Sequence, residues 1–170
     1  WWQQHHPETF EAIAAFVQPG GYVAMQLAGL AGDEAFIDAT YLHFSGFADN
    51  VERRWDDELC DLFAVPMAKL PRIVDPHERI GALTEAMADR CGLAAGTPII
   101  AGCGDTAASF LAAGATEPGI GVVEYAVLGG SSAVDLRPEP FVEPTLGRSG
   151  FPALGTPADG VIGDIVGGPN

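Results

Sequence analysis

The stretch from Thr97 to Ala108, Thr-Pro-Ile-Ile-Ala-Gly-Cys-Gly-Asp-Thr-Ala-Ala, constrains this chain more than any other. Pro98-Ile-Ile-Ala-Gly102 is a continuous apolar run, the pattern of a strand buried on both faces. Gly102-Cys103-Gly104 interrupts it, and Thr106 to Gly114 has the small-residue composition of a helix. A strand, a glycine turn and a helix start in that order belong to an α/β fold, in which ligands bind at the carboxyl ends of strands. Glycines let a substrate approach the backbone closely. An acid at the helix start, Asp105, is then placed to take a proton from an alcohol as that alcohol attacks an electrophile. The competing reading makes Asp105 an ordinary N-cap, worth about 1 kcal/mol. On this motif alone the cap is the better reading.

The rest of the chain supplies the core that such a turn needs. Of 170 residues, 48% are hydrophobic and 18% charged, which is a globular composition. The length suits one domain, or one domain with part of another. The 22 glycines and 13 prolines imply short elements joined by many turns. Pro7 to Val17 reads as a helix with Phe10, Ile13, Ala14 and Val17 in one stripe, stopped by Pro19-Gly20-Gly21, and Tyr22 to Leu30 as a second helix. Residues 33–47 fit both turn and extended structure. Asp56 to Phe63 reads as a short helix with acids at its start and Leu59, Leu62 and Phe63 on its apolar face, ended by Val65-Pro66. Pro71 to Gly81 reads as an extended connector, and Thr84 to Cys91 as a helix closed by Gly92. Glu117-Pro118-Gly119 marks a domain boundary. Ile120 to Val127 and Ala133 to Leu136 read as strands around the loop Leu128-Gly-Gly-Ser-Ser132, and Val161 to Val166 as another strand.

Charge and cysteine usage narrow the function. The net charge of −15, from 23 acidic and 8 basic residues, disfavours a phosphate backbone and an anionic membrane surface, so neither nucleic acid nor membrane is expected as a partner. No apolar run approaches the ~20 residues that span a bilayer. Cys60, Cys91 and Cys103 are odd in number and match no zinc spacing, which points to a reduced, cytoplasmic setting. Both ends, Trp1-Trp2 without a methionine and a C-terminus just past a strand-like run, read as cut from something longer.

Three further groups are weighed as sites. Backbone amides in Leu128-Gly129-Gly130-Ser131-Ser132 can form an anion-binding nest, although a hairpin turn explains the same residues. His5-His6 with Glu8 or Glu11 are metal-capable residue types, but adjacent histidines diverge on a helix; no metal site is assigned to the protein. Cys103, two residues before Asp105, is better read as a small residue packed on the turn than as a reactive thiol.

The order of these pieces is more specific than any one of them. It resembles the FGGY family of carbohydrate kinases, especially its xylulokinase-like branch. The resemblance is carried by Trp1-Trp2 through Pro7-Glu8, Pro19-Gly-Gly-Tyr22, Asp38-Ala-Thr40, Trp55-Asp-Asp-Glu-Leu59, Val65-Pro66, Ile80-Gly81, Leu93 to Pro98, Gly102-Cys-Gly-Asp105, Glu117-Pro-Gly119 and Leu128 to Val134. It implies an actin-like, RNase H-like kinase fold, here incomplete. Residues 1–117 would form the C-terminal half of the sugar-binding domain, and residues 118–170 the start of the ATP-binding domain.

The resemblance implies ATP-dependent phosphorylation of a sugar or polyol hydroxyl, with a ketopentose such as xylulose as the expected substrate and ATP and Mg2+ as cofactors. Asp105 would be the general base, with Gly104 and Thr106 beside the sugar, and Gly129, Gly130, Ser131 and Ser132 would contact nucleotide phosphates. Two positions depart from the family pattern. Thr106 stands where glutamine or asparagine is frequent, and Gly130 where threonine is usual. They leave open a non-catalytic sugar- or nucleotide-binding relative that kept the fold. The family's first phosphate loop and its adenosine-binding glycines are not among these 170 residues, so the chain alone is not expected to be a competent kinase. Apolar surface left where other parts would pack also makes a homodimer an expected partner state.

Overall fold

The structure is a computed structural model. It describes residues 1–114 and, beyond them, the backbone of five strands. In chain order the elements begin with α1 (Trp2–His5), α2 (Pro7–Ala12), α3 (Pro19–Ala28), β1 (Phe36–Asp38) and α4 (Leu42–Ser45). Next come β2 (Ala48–Asp49), β3 (Arg54–Trp55), α5 (Asp57–Leu62), β4 (Arg72–Val74) and β5 (Arg79–Ala82). They are followed by α6 (Glu85–Cys91), β6 (Pro98–Ile100) and α7 (Asp105–Ala112). The strands β7 (Gly121–Tyr125), β8 (Ser131–Arg137), β9 (Val142–Glu143), β10 (Arg148–Pro152) and β11 (Val161–Val166) complete the set. The class is α/β, as expected. No helix among the described residues is long and apolar enough to cross a membrane.

Two compact units emerge. The first comprises Trp1–Asp38, Gly46–Ala48 and Arg54–Gly102; the second comprises Ala39–Ser45, Asp49–Arg53 and Cys103–Asn170. In the first, β1 and β4 pair in parallel with Phe36 opposite Arg72 and Asp38 opposite Val74. The three residues of β1 are all buried. Met25, Ala35, Phe36, Val74 and Ile80 form the core, with Ala28, Leu30, Ile99 and Ala101 packed against it. Gly81 is what lets α3 lie on β5: a Cβ there would sit 2.8 Å from the Ala28 Cβ, closer than two carbons can approach.

Several local expectations are corrected by this packing. The first helix ends at Ala12, not Val17, because Ile13 turns extended. Tertiary partners take over from the helical ladder: the Lys69 ammonium donates to the carbonyls of Glu11 and Ile13, and the Phe16 amide donates to the Lys69 carbonyl. Pro19-Gly20-Gly21 does not stop a helix but opens α3, with Pro19 in the first turn, where its missing N–H leaves no gap. On α5 the buried residue is Cys60; of the expected apolar face, Leu59 is half-buried while Leu62 and Phe63 are exposed. Residues 71–81 contain two strands, each with a partner, rather than a plain connector. By contrast, α6 lies where expected, capped by the Thr84 hydroxyl and closed by Gly92 in the left-handed conformation.

The strand β6 also differs from its expected form. It pairs antiparallel with β5, and Pro98 and Ile100 are exposed while Ile99 is half-buried. Among the described residues its partner strand is β5 alone, so it is an edge strand and not one covered on both faces.

In the second unit, β7 and β8 form the expected antiparallel pair, extended to a five-stranded sheet in the order β7-β8-β11-β10-β9. Strand β8 begins at Ser131, earlier than expected, because both its neighbours pair with that end: Ser131 lies opposite Tyr125 and Val166. The proposed boundary Glu117-Pro118-Gly119 and the glycines Gly129 and Gly130 lie outside the described residues.

Candidate active site at the start of helix α7

The approach to Asp105 is built by backbone hydrogen bonds. Past β6 the ladder continues: the Ala101 amide donates to the Glu78 carbonyl and the Gly102 amide to the Pro76 carbonyl, both at 2.9 Å. Gly102 then takes φ +82°, a left-handed conformation that a side chain would strain. This turns the chain out of the strand direction.

Helix α7 starts one residue earlier than a capping aspartate would require. Its N-cap is Gly104, extended at φ −60° and ψ 147°, and Asp105 is the first helical residue. Glycine offers no side-chain acceptor, and the helix has no side-chain cap bond. The Asp105 carboxylate instead accepts the Thr106 amide at 2.8 Å. Asp105 is exposed, Thr106 half-buried and Gly104 buried. The helix is anchored by Ala107 and Phe110, one turn apart and both nearly inaccessible. The cap position is therefore held by Gly104, and Asp105 presents a carboxylate with unused acceptor positions to solvent.

The buried Gly104 amide is satisfied from far along the chain. It donates to the Thr40 hydroxyl oxygen at 2.8 Å. In a capping box this amide is served by a Glu or Gln at the third helical position. Here that position is Ala107, which has no acceptor. Left unpaired, a buried amide costs about 1–3 kcal/mol. Thr40 belongs to a tight turn, Ala39–Tyr41, and is itself buried. The Tyr41 ring closes over Gly104, where an added Cβ would lie 3.4 Å from its Cε2. His43 follows one residue before Phe44, its ring 4.0 Å from the Phe44 ring. Burial holds the His43 imidazole below its ordinary value of 6.5, and a hydrogen bond with the Thr40 backbone offsets part of that.

Of the expected site residues, the structure brings Gly104, Asp105 and Thr106 into one turn and adds Thr40 and Tyr41 to it. Ser131 and Ser132 are the first residues of a sheet strand rather than loop residues. Thr40 had no signal of its own in the sequence beyond the Asp38-Ala-Thr40 resemblance. Asp38, which ends β1, is buried and accepts the Gln18 side-chain amide at 3.2 Å. Among the described residues no three His, Cys, Asp or Glu side chains gather as a metal site. An open cleft of about 590 Å3 in the first unit is lined in part by Arg54, Trp55, Asp57 and Arg72. Its Arg72 is paired with Glu78 and its Trp55 indole donates to the Pro71 carbonyl.

Comparison with known proteins places the chain in a family. Residues 1–112 match the model of the N-terminal domain of the FGGY family of carbohydrate kinases. The match therefore runs through β6, the glycine turn and the whole of α7. Among curated relatives, the autoinducer-2 kinase of Photorhabdus laumondii is 29% identical over 149 residues, 86% of this chain and 26% of that protein. The autoinducer-2 kinase of Klebsiella pneumoniae is 30% identical over 131 residues, 77% of this chain and 23% of that protein. Among solved structures, the xylulose kinase of Rhodospirillum rubrum superposes with a TM-score of 0.77 at 27% identity, covering 96% of this chain and 31% of that one. The ligand-bound xylulose kinase of Lactobacillus acidophilus gives 0.79 at 20% identity, covering 95% and 32%. The chain thus spans about a quarter of the length of these curated relatives and about a third of these structures.

Proposed function

The chain belongs to the FGGY family of carbohydrate kinases, and from that premise we propose that it supplies the general-base segment of an enzyme that phosphorylates a sugar or polyol hydroxyl with ATP. The observation that carries this reading is the state of Asp105. It is an exposed carboxylate on the first turn of α7, beside a glycine turn, and it is not the helix cap.

In the step assigned to this chain, the substrate hydroxyl approaches Asp105, and the carboxylate accepts its proton as the hydroxyl oxygen bonds to the γ-phosphorus. ATP supplies the phosphoryl group, and ADP leaves with the bridging oxygen and its electron pair. Gly104 and Thr106 flank the carboxylate, Gly104 buried under the Tyr41 ring and Thr106 half-buried at the second helical position. The amide of Thr106, bonded to one carboxylate oxygen, holds the carboxylate in place and leaves the other oxygen for the proton. Phosphoryl transfer depends on positioning and electrostatics more than on covalent chemistry. A fixed base on a packed helix meets the first need.

The nucleotide side of the reaction falls to Gly129, Gly130, Ser131 and Ser132 on this reading, the two serines opening strand β8. The described residues supply no metal cage, and no step assigned to them passes through Mg2+. The substrate class is a ketopentose such as xylulose, supported by the xylulose kinases among the structural neighbours. The names of the curated relatives add autoinducer-2 as the competing substrate.

The test is ATP-dependent turnover by the full-length enzyme on a panel of xylulose, other ketopentoses, glycerol, gluconate and autoinducer-2, for the parent and for Asp105→Asn. Turnover that the substitution abolishes supports the reading. Unchanged turnover overturns the role of Asp105, and calorimetric sugar or nucleotide binding with no turnover at all favours the non-catalytic relative. The 170-residue chain alone, lacking other parts of the relatives' length, is expected to show no turnover.

A further inference from the structure

We propose that Thr40 is a positioning residue for Asp105, acting through the Gly104 amide; this rests on Asp105 being the base. Three observations within the second unit carry it. The first is the buried 2.8 Å bond from the Gly104 amide to the Thr40 hydroxyl, which spans 64 residues of sequence. The second is the absence of a local substitute: Gly104 has no side chain, Ala107 has no acceptor, and α7 has no side-chain cap. The third is the packing of the turn that holds Thr40: Thr40 is buried, and its neighbour Tyr41 lies against Gly104.

The consequence is geometric. Gly104 precedes Asp105 directly, so whatever fixes its amide fixes the first Cα of the helix and the origin of the carboxylate. An exposed side chain on a helix start would otherwise fray with that start. Without the Thr40 bond, the Gly104 amide has to turn toward water, and Asp105 turns with it. Thr40 touches no reacting atom. Its part is to hold the base within the narrow range where proton transfer is fast, and a displacement of about 1 Å costs about 100-fold in rate.

The experiment uses the full-length kinase with Thr40→Val, which keeps the shape and removes the acceptor, and Thr40→Ser, which keeps the hydroxyl. For Thr40→Val, kcat is expected to fall about 10- to 100-fold with KM for ATP unchanged. The Gly104 amide should also exchange its hydrogen faster. Thr40→Ser should retain most of the activity and the amide protection. The double variant Thr40→Val/Asp105→Asn should be no slower than Asp105→Asn, because the two act as one unit. Full turnover in Thr40→Val while Asp105→Asn is inactive overturns this inference and leaves the base assignment standing. Turnover in Asp105→Asn overturns the base assignment itself. If Thr40→Val does not fold, Thr40→Ser decides: a loss of activity or amide protection there overturns the inference. A double variant slower than Asp105→Asn does so as well.

Discussion

Two helices of this protein begin beside an aspartate, and they use it differently. At α5, Asp56 is the N-cap, extended at φ −91° and ψ 109°, and its carboxylate accepts the Leu59 amide at 2.9 Å. At α7, Asp105 is already inside the helix and its carboxylate accepts only the next amide, that of Thr106. The offset is one residue. A carboxylate at the cap position reaches the amide three residues on and satisfies a helix terminus. Moved one position along, it no longer reaches that amide, so the helix must be secured otherwise. Here Gly104 occupies the cap and Thr40 secures it from a distant turn. On the proposed reading, what frees Asp105 for chemistry is a substitution of supports, not a special aspartate.

The largest effect tests this contrast on activity. Asp105→Asn in the full-length enzyme should lower turnover by about 10^2- to 10^4-fold, the range removed with a general base. Asp56→Asn should leave turnover intact, since asparagine caps a helix as well as aspartate does. Equal losses in steady-state assays of the two variants would erase the distinction. A smaller effect tests it on stability. Asp56→Ala should cost about 1 kcal/mol in urea unfolding, as the loss of a cap does. Asp105→Ala should cost clearly less, because it is not the cap. A larger loss for Asp105→Ala would make it a structural residue after all.

The smallest effect concerns acid. Burial lowers the His43 value in the folded protein below its ordinary 6.5, so folding favours the neutral imidazole. The stability this brings is complete above 6.5 and is lost as pH falls through the lowered value. Unfolding free energy should therefore decline as the solution is acidified below 6.5, and His43→Gln should flatten that part of the profile. Because His43 lies three residues from Thr40, whose hydroxyl accepts the Gly104 amide, that amide should lose hydrogen-exchange protection over the same interval in the parent protein. A profile that His43→Gln leaves unchanged would separate the histidine from the α7 start.

Much of this was legible in the residues, and the legible parts share a cause. Asp56, Thr84 and Gly92 mark helix ends because caps act over three or four residues, a range that sequence spacing spells out. The turn Gly102-Cys103-Gly104-Asp105 stood out for the same reason. The misreadings share a cause too. Ile13 leaves the helical conformation where Lys69, 56 residues later, takes the carbonyls. The apolar run 98–100 looks doubly buried, but periodicity does not count partner strands, and β6 has an exposed Ile100. The composition of Pro19-Gly20-Gly21 suits a helix break and a helix opening equally well, and only the packing of α3 on Phe36 and Val74 distinguishes them.

The residues alone determined the α/β class, the acid at the end of a glycine turn, and the order of motifs that marks the family. These are local or ordered along the chain, and backbone conformational preferences over a few residues are enough to express them. Only the tertiary structure decided whether Asp105 caps its helix or stands clear of that duty. That choice depends on which acceptor reaches the Gly104 amide, and the acceptor is the Thr40 hydroxyl, brought back across 64 residues to a buried site where an unpaired amide is too costly to leave.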